Sequence, residues 1–211
     1  MDNDILTKVY KWFGIGLLIT FLTAFLTSTN ETLIRLVFTG PTTIILIILE
    51  LACAIILPVR IRKMSKTTAT ILYLTYTFLT GLTFSSIFII YELTSIIWIF
   101  LVTSIVFFIL SLLGKNTKMN LTGLGTFLLV LLISIILLGI INIFIMNNTL
   151  NLIICIMSLV IFIGYVFYDV NKISNYYENS DKMAILGAFE IYLDFINIFI
   201  RLLELFGKRK D

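Results

Sequence analysis

Histidine is absent from this chain, and proline, cysteine and charge are scarce. Without an imidazole, no side chain ordinarily changes charge near neutral pH, so any response there falls to carboxylates in unusual surroundings. The two cysteines, Cys53 and Cys155, lie in apolar runs and read as small packing residues; nothing supports a disulfide or a cysteine metal site. Charged residues make up 13% of the 211 and hydrophobic ones 60%. A soluble domain carries about a quarter charged residues, so this composition argues against one. The ten-residue blocks of alternating polar and apolar residues that mark a transmembrane β-barrel are also missing. Glycine, alanine and proline are few beside isoleucine, leucine, phenylalanine, asparagine and lysine, a bias expected of an AT-rich genome.

What remains is apolar runs of helix-spanning length. A helix needs about 20 apolar residues to cross the roughly 30 Å hydrocarbon layer. Seven such runs are read at residues 9–27, 42–59, 68–91, 96–113, 121–145, 150–170 and 183–206. The first resembles a signal sequence but lacks a small-x-small cleavage site, and is expected to be a retained span. Pro41 and Pro58 flank the second, as suits helix boundaries. Gly81 and Ser85 in the third form a small-x-x-x-small pair suited to close helix packing. Trp98 sits near an interface, and Glu92 reads as a loop acid. Asn30, Asn120 and Asn147 each open an N-x-Thr sequon. No linker or repeat divides residues 1–211, which are expected to form a single integral membrane domain of all-α class.

Charge sets orientation. With a cytoplasmic N-terminus, Lys8, Lys11, Arg60, Arg62, Lys63, Lys66, Lys115, Lys118, Lys172 and Lys182 fall on the cytoplasmic side, and only Arg35 falls opposite before the last span. The tail Lys208-Arg209-Lys210 breaks the rule. Either the last segment crosses fully despite its tail, or it enters and turns back. At 1.5 Å per residue, residues 183–206 make roughly 36 Å of helix, enough to cross. The short loops favour a bacterial plasma membrane.

Two aspartates in the last two spans carry the functional argument. Asp169 closes the sixth apolar run and Asp194 lies inside the seventh. A carboxylate at the bilayer centre costs several kcal/mol, so such a residue is usually functional. The seventh segment carries Glu190, Asp194, Asn197, Arg201 and Glu204 at spacings of four, three, four and three, on one helix face. Lipid would not accept that face, so this helix is expected at the centre of the bundle. A plainer reading is a sealed network in which Arg201 neutralises Glu204. Glu50, mid-way through the second span, needs a partner or a wet cavity and is expected to face the central helix.

If Asp169 and Asp194 meet, two charges roughly 5 Å apart at an effective dielectric near 20 repel by about 3 kcal/mol. The two then titrate as a pair. Such a pair can hold a proton or bind a hard divalent cation such as Ca²⁺ between its oxygens. A guanidinium could compete with that cation as a latch, and Arg60 and Arg62 are the candidates.

The segments Tyr168-Asp169-Val170-Asn171-Lys172-Ile173, Tyr192-Leu193-Asp194-Phe195-Ile196-Asn197-Ile198-Phe199 and Leu202-Leu203-Glu204-Leu205-Phe206-Gly207 resemble the transmembrane Bax inhibitor motif family. The likeness covers nearly the whole chain. It implies a seven-helix fold with a central last helix. It also implies, for a bacterial-type member, a pH-sensitive calcium leak, and for eukaryotic members calcium homeostasis and suppression of cell death. By that resemblance the family's aspartate pair falls on Asp169 and Asp194, its second-span glutamate on Glu50, and its latching arginine on Arg60 or Arg62. Glu190 departs from the family pattern and adds negative charge one turn from Asp194.

The leading reading is a calcium or cation leak channel, not an enzyme, gated by protonation of the aspartate pair. Its partners would be the bilayer, Ca²⁺ and protons, with no nucleic acid and no resident cofactor. Ionised aspartates would attract Ca²⁺, while protonation could free a latch, so the sequence leaves both signs of the pH response open. Alternatives are a cation/proton exchanger and a non-transporting modulator of a membrane protease or cell-death partner. An intramembrane aspartyl protease also uses two aspartates, but its Gly-x-Gly-Asp motif is missing, since Ile191-Tyr192-Leu193 precede Asp194.

Overall fold

A computed structural model describes residues 5–210. Among the described residues the regular structure is helical, apart from one isolated β-bridge. The order is α1 (Ile5–Ser28), α2 (Glu31–Phe38), α3 (Thr42–Arg60), α4 (Lys66–Ile90), α5 (Leu93–Asn116), α6 (Thr122–Ile145), α7 (Asn148–Tyr176) and α8 (Asp181–Phe206). Seven of these, all but α2, are long and apolar enough to cross a membrane. Lipid offers backbone groups no hydrogen bonds, so each crossing segment satisfies its own as a helix.

The boundaries follow local chemistry. Asn30, Ser65 and Asn147 are N-caps whose side chains accept from Leu33, Thr68 and Leu150 N–H. Two of the three sequon asparagines are thus helix caps, and the third, Asn120, accepts from Thr122 N–H. Pro58 lies inside α3, which runs two residues past it to Arg60 before a 3₁₀ turn at Ile61–Lys63. The eight-residue α2 was not anticipated, because it is too short to show a spanning pattern. The sixth span proves longer than its apolar run: α7 continues to Tyr176, so Asp169 lies within the helix rather than at its end.

The helices group into two compact units. The first holds the chain up to Leu93, Glu178–Tyr192 and the tail from Lys208. In it α1 packs along α4. Gly81 makes the close approach possible: a Cβ there would stand 2.6 Å from Thr23 Cβ and 2.9 Å from Thr20 O. Thr20 donates to Thr77 O at 2.9 Å and shares a 2.5 Å hydrogen bond with the buried Tyr192 hydroxyl. The rings of Tyr73 and Tyr76 meet Tyr192 edge-on. The second unit holds Thr94–Tyr177 and Leu193–Gly207. There Leu128 and Ile135 of α6 pack with Ile154 and Ile161 of α7, while Phe195 packs edge-on against Phe100 and Phe107 of α5.

The last segment is one continuous helix of 26 residues, not a hairpin. It begins beside the start of α4, where Asp181 pairs with Lys66 at 2.6 Å and Lys8 at 3.6 Å. Its tail finishes beside the other end of α4. Lys210 N–H donates to Ile90 O and Glu92 N–H to Lys208 O, both at 2.9 Å. The charges that break the positive-inside pattern are held there. Lys208 pairs with Glu92 at 2.6 Å, Arg209 lies over the Tyr91 ring, and Lys210 Nζ donates to Phe88 O. In α8, 72% of the most apolar window is buried, against 11% to 39% in the other six spans, so it is the most enclosed helix.

Candidate functional site

Asp169 and Asp194 are both buried, at 6% and 3% exposure. They belong to the same compact unit, Asp169 on α7 and Asp194 on α8. Tyr165, one turn before Asp169, lies within electrostatic reach of both carboxylates. Lys172 meets Asp169. Its ammonium sits 3.1 Å from Oδ1, an i,i+3 pair on α7. The same ammonium lies 5.5 Å from the Tyr168 ring centre and 5.6 Å from that of Tyr177, at cation–π distance.

The turn carrying Asp169 is held tightly against α5. Gly114 presents its backbone so closely that a Cβ would stand 2.6 Å from Phe167 O. Asn171, 1% exposed, donates from one amide to Gly114 O at 3.1 Å and Thr117 O at 2.5 Å. Those bonds tie Asn171 to the carbonyls that end α5, where Gly114 O otherwise receives only a long 3.4 Å bond from Thr117 N–H. Beside this turn lies a cleft of about 200 Å³ lined by Leu121, Thr122, Tyr168, Asn171, Lys172 and Tyr176. The Lys172 side chain, 26% exposed, both lines this cleft and reaches the buried carboxylate.

The rest of the polar stripe divides. Arg201 and Glu204 form an ion pair at 2.8 Å, and Asn151 of α7 donates to Glu204 at 3.0 Å. Cys155 Sγ points at Arg201 O. At that end of the stripe Arg201 neutralises Glu204, as in the plainer reading, with both side chains partly exposed. Asn197 donates to Leu193 O on its own helix at 2.8 Å, and Glu190 is half-buried.

Glu50 finds its partner on α4, where Thr83 donates to Oε1 at 3.0 Å. It is half-buried and also lies within electrostatic range of Tyr76. Arg60 and Arg62 are exposed, Arg60 at the end of α3 and Arg62 in the turn after it. Both were candidates for the latch, yet the cation seen on Asp169 is Lys172, which charge patterning had assigned to topology. Its spacing from Asp169 was the available signal, since residues three apart on a helix are neighbours. Among the described residues no three histidine, cysteine or acidic side chains cluster as a metal site. A Ca²⁺ ion at the pair would therefore need carbonyl or water oxygens to complete its six to eight ligands.

Known proteins resemble the chain along its full length. Residues 2–211 match the family described as inhibitor of apoptosis-promoting Bax1. The inner membrane protein YbhL of Escherichia coli is 38% identical, over 97% of this chain and 92% of its own. An uncharacterized protein of Borreliella burgdorferi is 36% identical, over 100% and 94%. With seven apolar crossing-length helices and an inner membrane protein among its relatives, this is a multi-pass membrane protein of bacterial type, and it belongs to the Bax inhibitor-1 family.

Proposed function

We propose that this protein is a pH-sensitive leak pathway for Ca²⁺ across the bacterial plasma membrane, gated by protonation at Asp169 and Asp194. The observation that carries the reading is the burial of both carboxylates around Tyr165 in helices of crossing length. Acids in lipid-spanning helices mark ion and proton paths. Ionised, the two oxygens pairs attract a hard cation; protonated, they lose that attraction and can hydrogen-bond instead. The enclosure of α8 supports its reading as the central helix, and the bias of basic residues supports a cytoplasmic N-terminus. The Arg201–Glu204–Asn151 network closes the far part of the stripe.

The test is Ca²⁺ entry into dye-loaded liposomes containing the purified protein, followed across pH. Wild type is expected to conduct with a sigmoidal pH profile. Asp169→Asn and Asp194→Asn are each expected to flatten the profile and change the rate about tenfold, the scale of losing one strong charge interaction. A rate that rises with pH identifies attraction by the carboxylates as the gating term, and one that falls identifies release of a latch. Equal, pH-independent flux in wild type and both variants overturns the aspartate model. Flux no greater than in empty liposomes overturns transport itself and leaves the modulator reading.

A further inference from the structure

We infer that Lys172 is a built-in competitor for the cation site: its ammonium occupies Asp169 when no metal ion does, and a divalent cation must displace it. The inference rests on the reading of Asp169 as part of a cation path. Three observations lead to it.

First, the ion pair is intrahelical, with Lys172 three residues after Asp169 and Nζ 3.1 Å from Oδ1. The competitor therefore travels with the carboxylate and needs no movement of another helix to engage. An arginine on a different span would depend on how the spans are arranged.

Second, the ammonium has somewhere else to go. The Tyr168 and Tyr177 ring centres lie 5.5 Å and 5.6 Å from the docked ammonium, so their faces already attract it in the ion pair and can keep hold of it as it leaves Asp169. The cleft of about 200 Å³ that Lys172 lines gives the flexible stem room to swing. A four-carbon stem with a compact charge suits such motion better than a planar, multiply bonded guanidinium.

Third, the exposures are graded. Asp169 is 9% exposed in its side chain and Lys172 26%. The ammonium thus sits at the boundary between the opening and the acid, where an arriving cation meets it first. Displacement replaces one positive charge by two at the carboxylate, which favours a divalent ion over a monovalent one.

The test uses Tb³⁺ as a luminescent substitute for Ca²⁺, read on purified protein in detergent. Tyr165 and Tyr168 lie close enough to the site to sensitise its emission. Lys172→Gln is expected to lower the half-saturating Tb³⁺ concentration about three- to fivefold, the upper part of the range for removing one partly exposed ion pair. Lys172→Arg keeps the charge and is expected to stay within about twofold of wild type or bind more weakly. Ca²⁺ flux in liposomes should show the same order, with Lys172→Gln leaking at lower Ca²⁺. Melting temperatures of the two variants identify any loss of folding, and the arginine variant separates charge from packing.

If Asp169→Asn abolishes Tb³⁺ binding while Lys172→Gln leaves half-saturation unchanged, the competitor role is overturned and the cation path stands. If Asp169→Asn leaves Tb³⁺ binding intact, the underlying reading falls, and the competitor role with it. Equal gains in affinity for Lys172→Gln and Lys172→Arg would assign the effect to packing and also overturn the inference.

Discussion

Gly114 is the position at which one added carbon should disturb the site most. The backbone of α5 passes so close to α7 that a Cβ would lie 2.6 Å from Phe167 O, 3.3 Å from Val170 Cβ and 3.4 Å from Asn171 N. The nearest of these is a backbone atom of the helix that carries Asp169, and it cannot rotate away. Ordinary non-bonded separations are about 3.5 Å or more, so the helices must part by almost 1 Å at this level. Overpacking of that kind costs about 1–3 kcal/mol. Replacing glycine by alanine in a helix returns about 0.5–1 kcal/mol. The Asn171 bond to Gly114 O stretches as well, which weakens a buried contact. The net cost of Gly114→Ala is about 1–2 kcal/mol. At about 2–4 °C per kcal/mol for a chain of this size, the melting temperature should fall by roughly 2–8 °C. Gly139, also on an apolar helix, has nothing within 4 Å of a built Cβ, so Gly139→Ala is the control. It should melt with or above wild type. Cys53 and Cys155 are both free and buried, so a thiol-reactive dye reports unfolding directly in detergent. Gly114→Ala melting level with Gly139→Ala would refute the argument that α5 and α7 are in fixed backbone contact beside Asp169.

Two pairs of substitutions probe the half-buried charges elsewhere in the helices. Thr83→Val removes the hydroxyl that donates to Glu50 at 3.0 Å and should cost about 1–3 kcal/mol, measured by the same melt. Adding Glu50→Gln should recover at least half of that loss, and no recovery would mean that Thr83 acts through packing alone. Arg201→Met leaves Glu204 with Asn151 but without its cation. The pair Arg201→Met with Glu204→Gln should be less destabilised than the sum of the single changes by about 0.5–3 kcal/mol, whereas additive effects would show that the two side chains are not coupled.

The number and class of the spans were legible in the sequence because lipid imposes one strict demand, that each crossing segment be apolar and satisfy its own backbone. Seven runs were read, and among the described residues seven helices are of crossing length. The ends were less legible. Beyond residue 170 the chain turns polar, yet α7 continues to Tyr176, because a helix outside the lipid no longer has to be apolar and Asn171 anchors this stretch to Gly114 O and Thr117 O. The small α2 was hidden behind a sequon whose asparagine caps it. The polar stripe of α8, with its three acids Glu190, Asp194 and Glu204, was visible from spacing alone.

Identities and intervals along the chain were enough to establish a membrane protein with seven crossing-length runs and an aspartate in each of its last two spans, because hydrophobic length and helical period are properties of single segments, while the family showed only through the resemblance of the segments around those aspartates. Only the folded arrangement decided what each charge meets. It put Thr83 against Glu50, Asn151 against Glu204 and the bare backbone of Gly114 against the turn before Asp169. Those pairings depend on which faces of different helices come into contact, and that is a property of packing, not of any one helix.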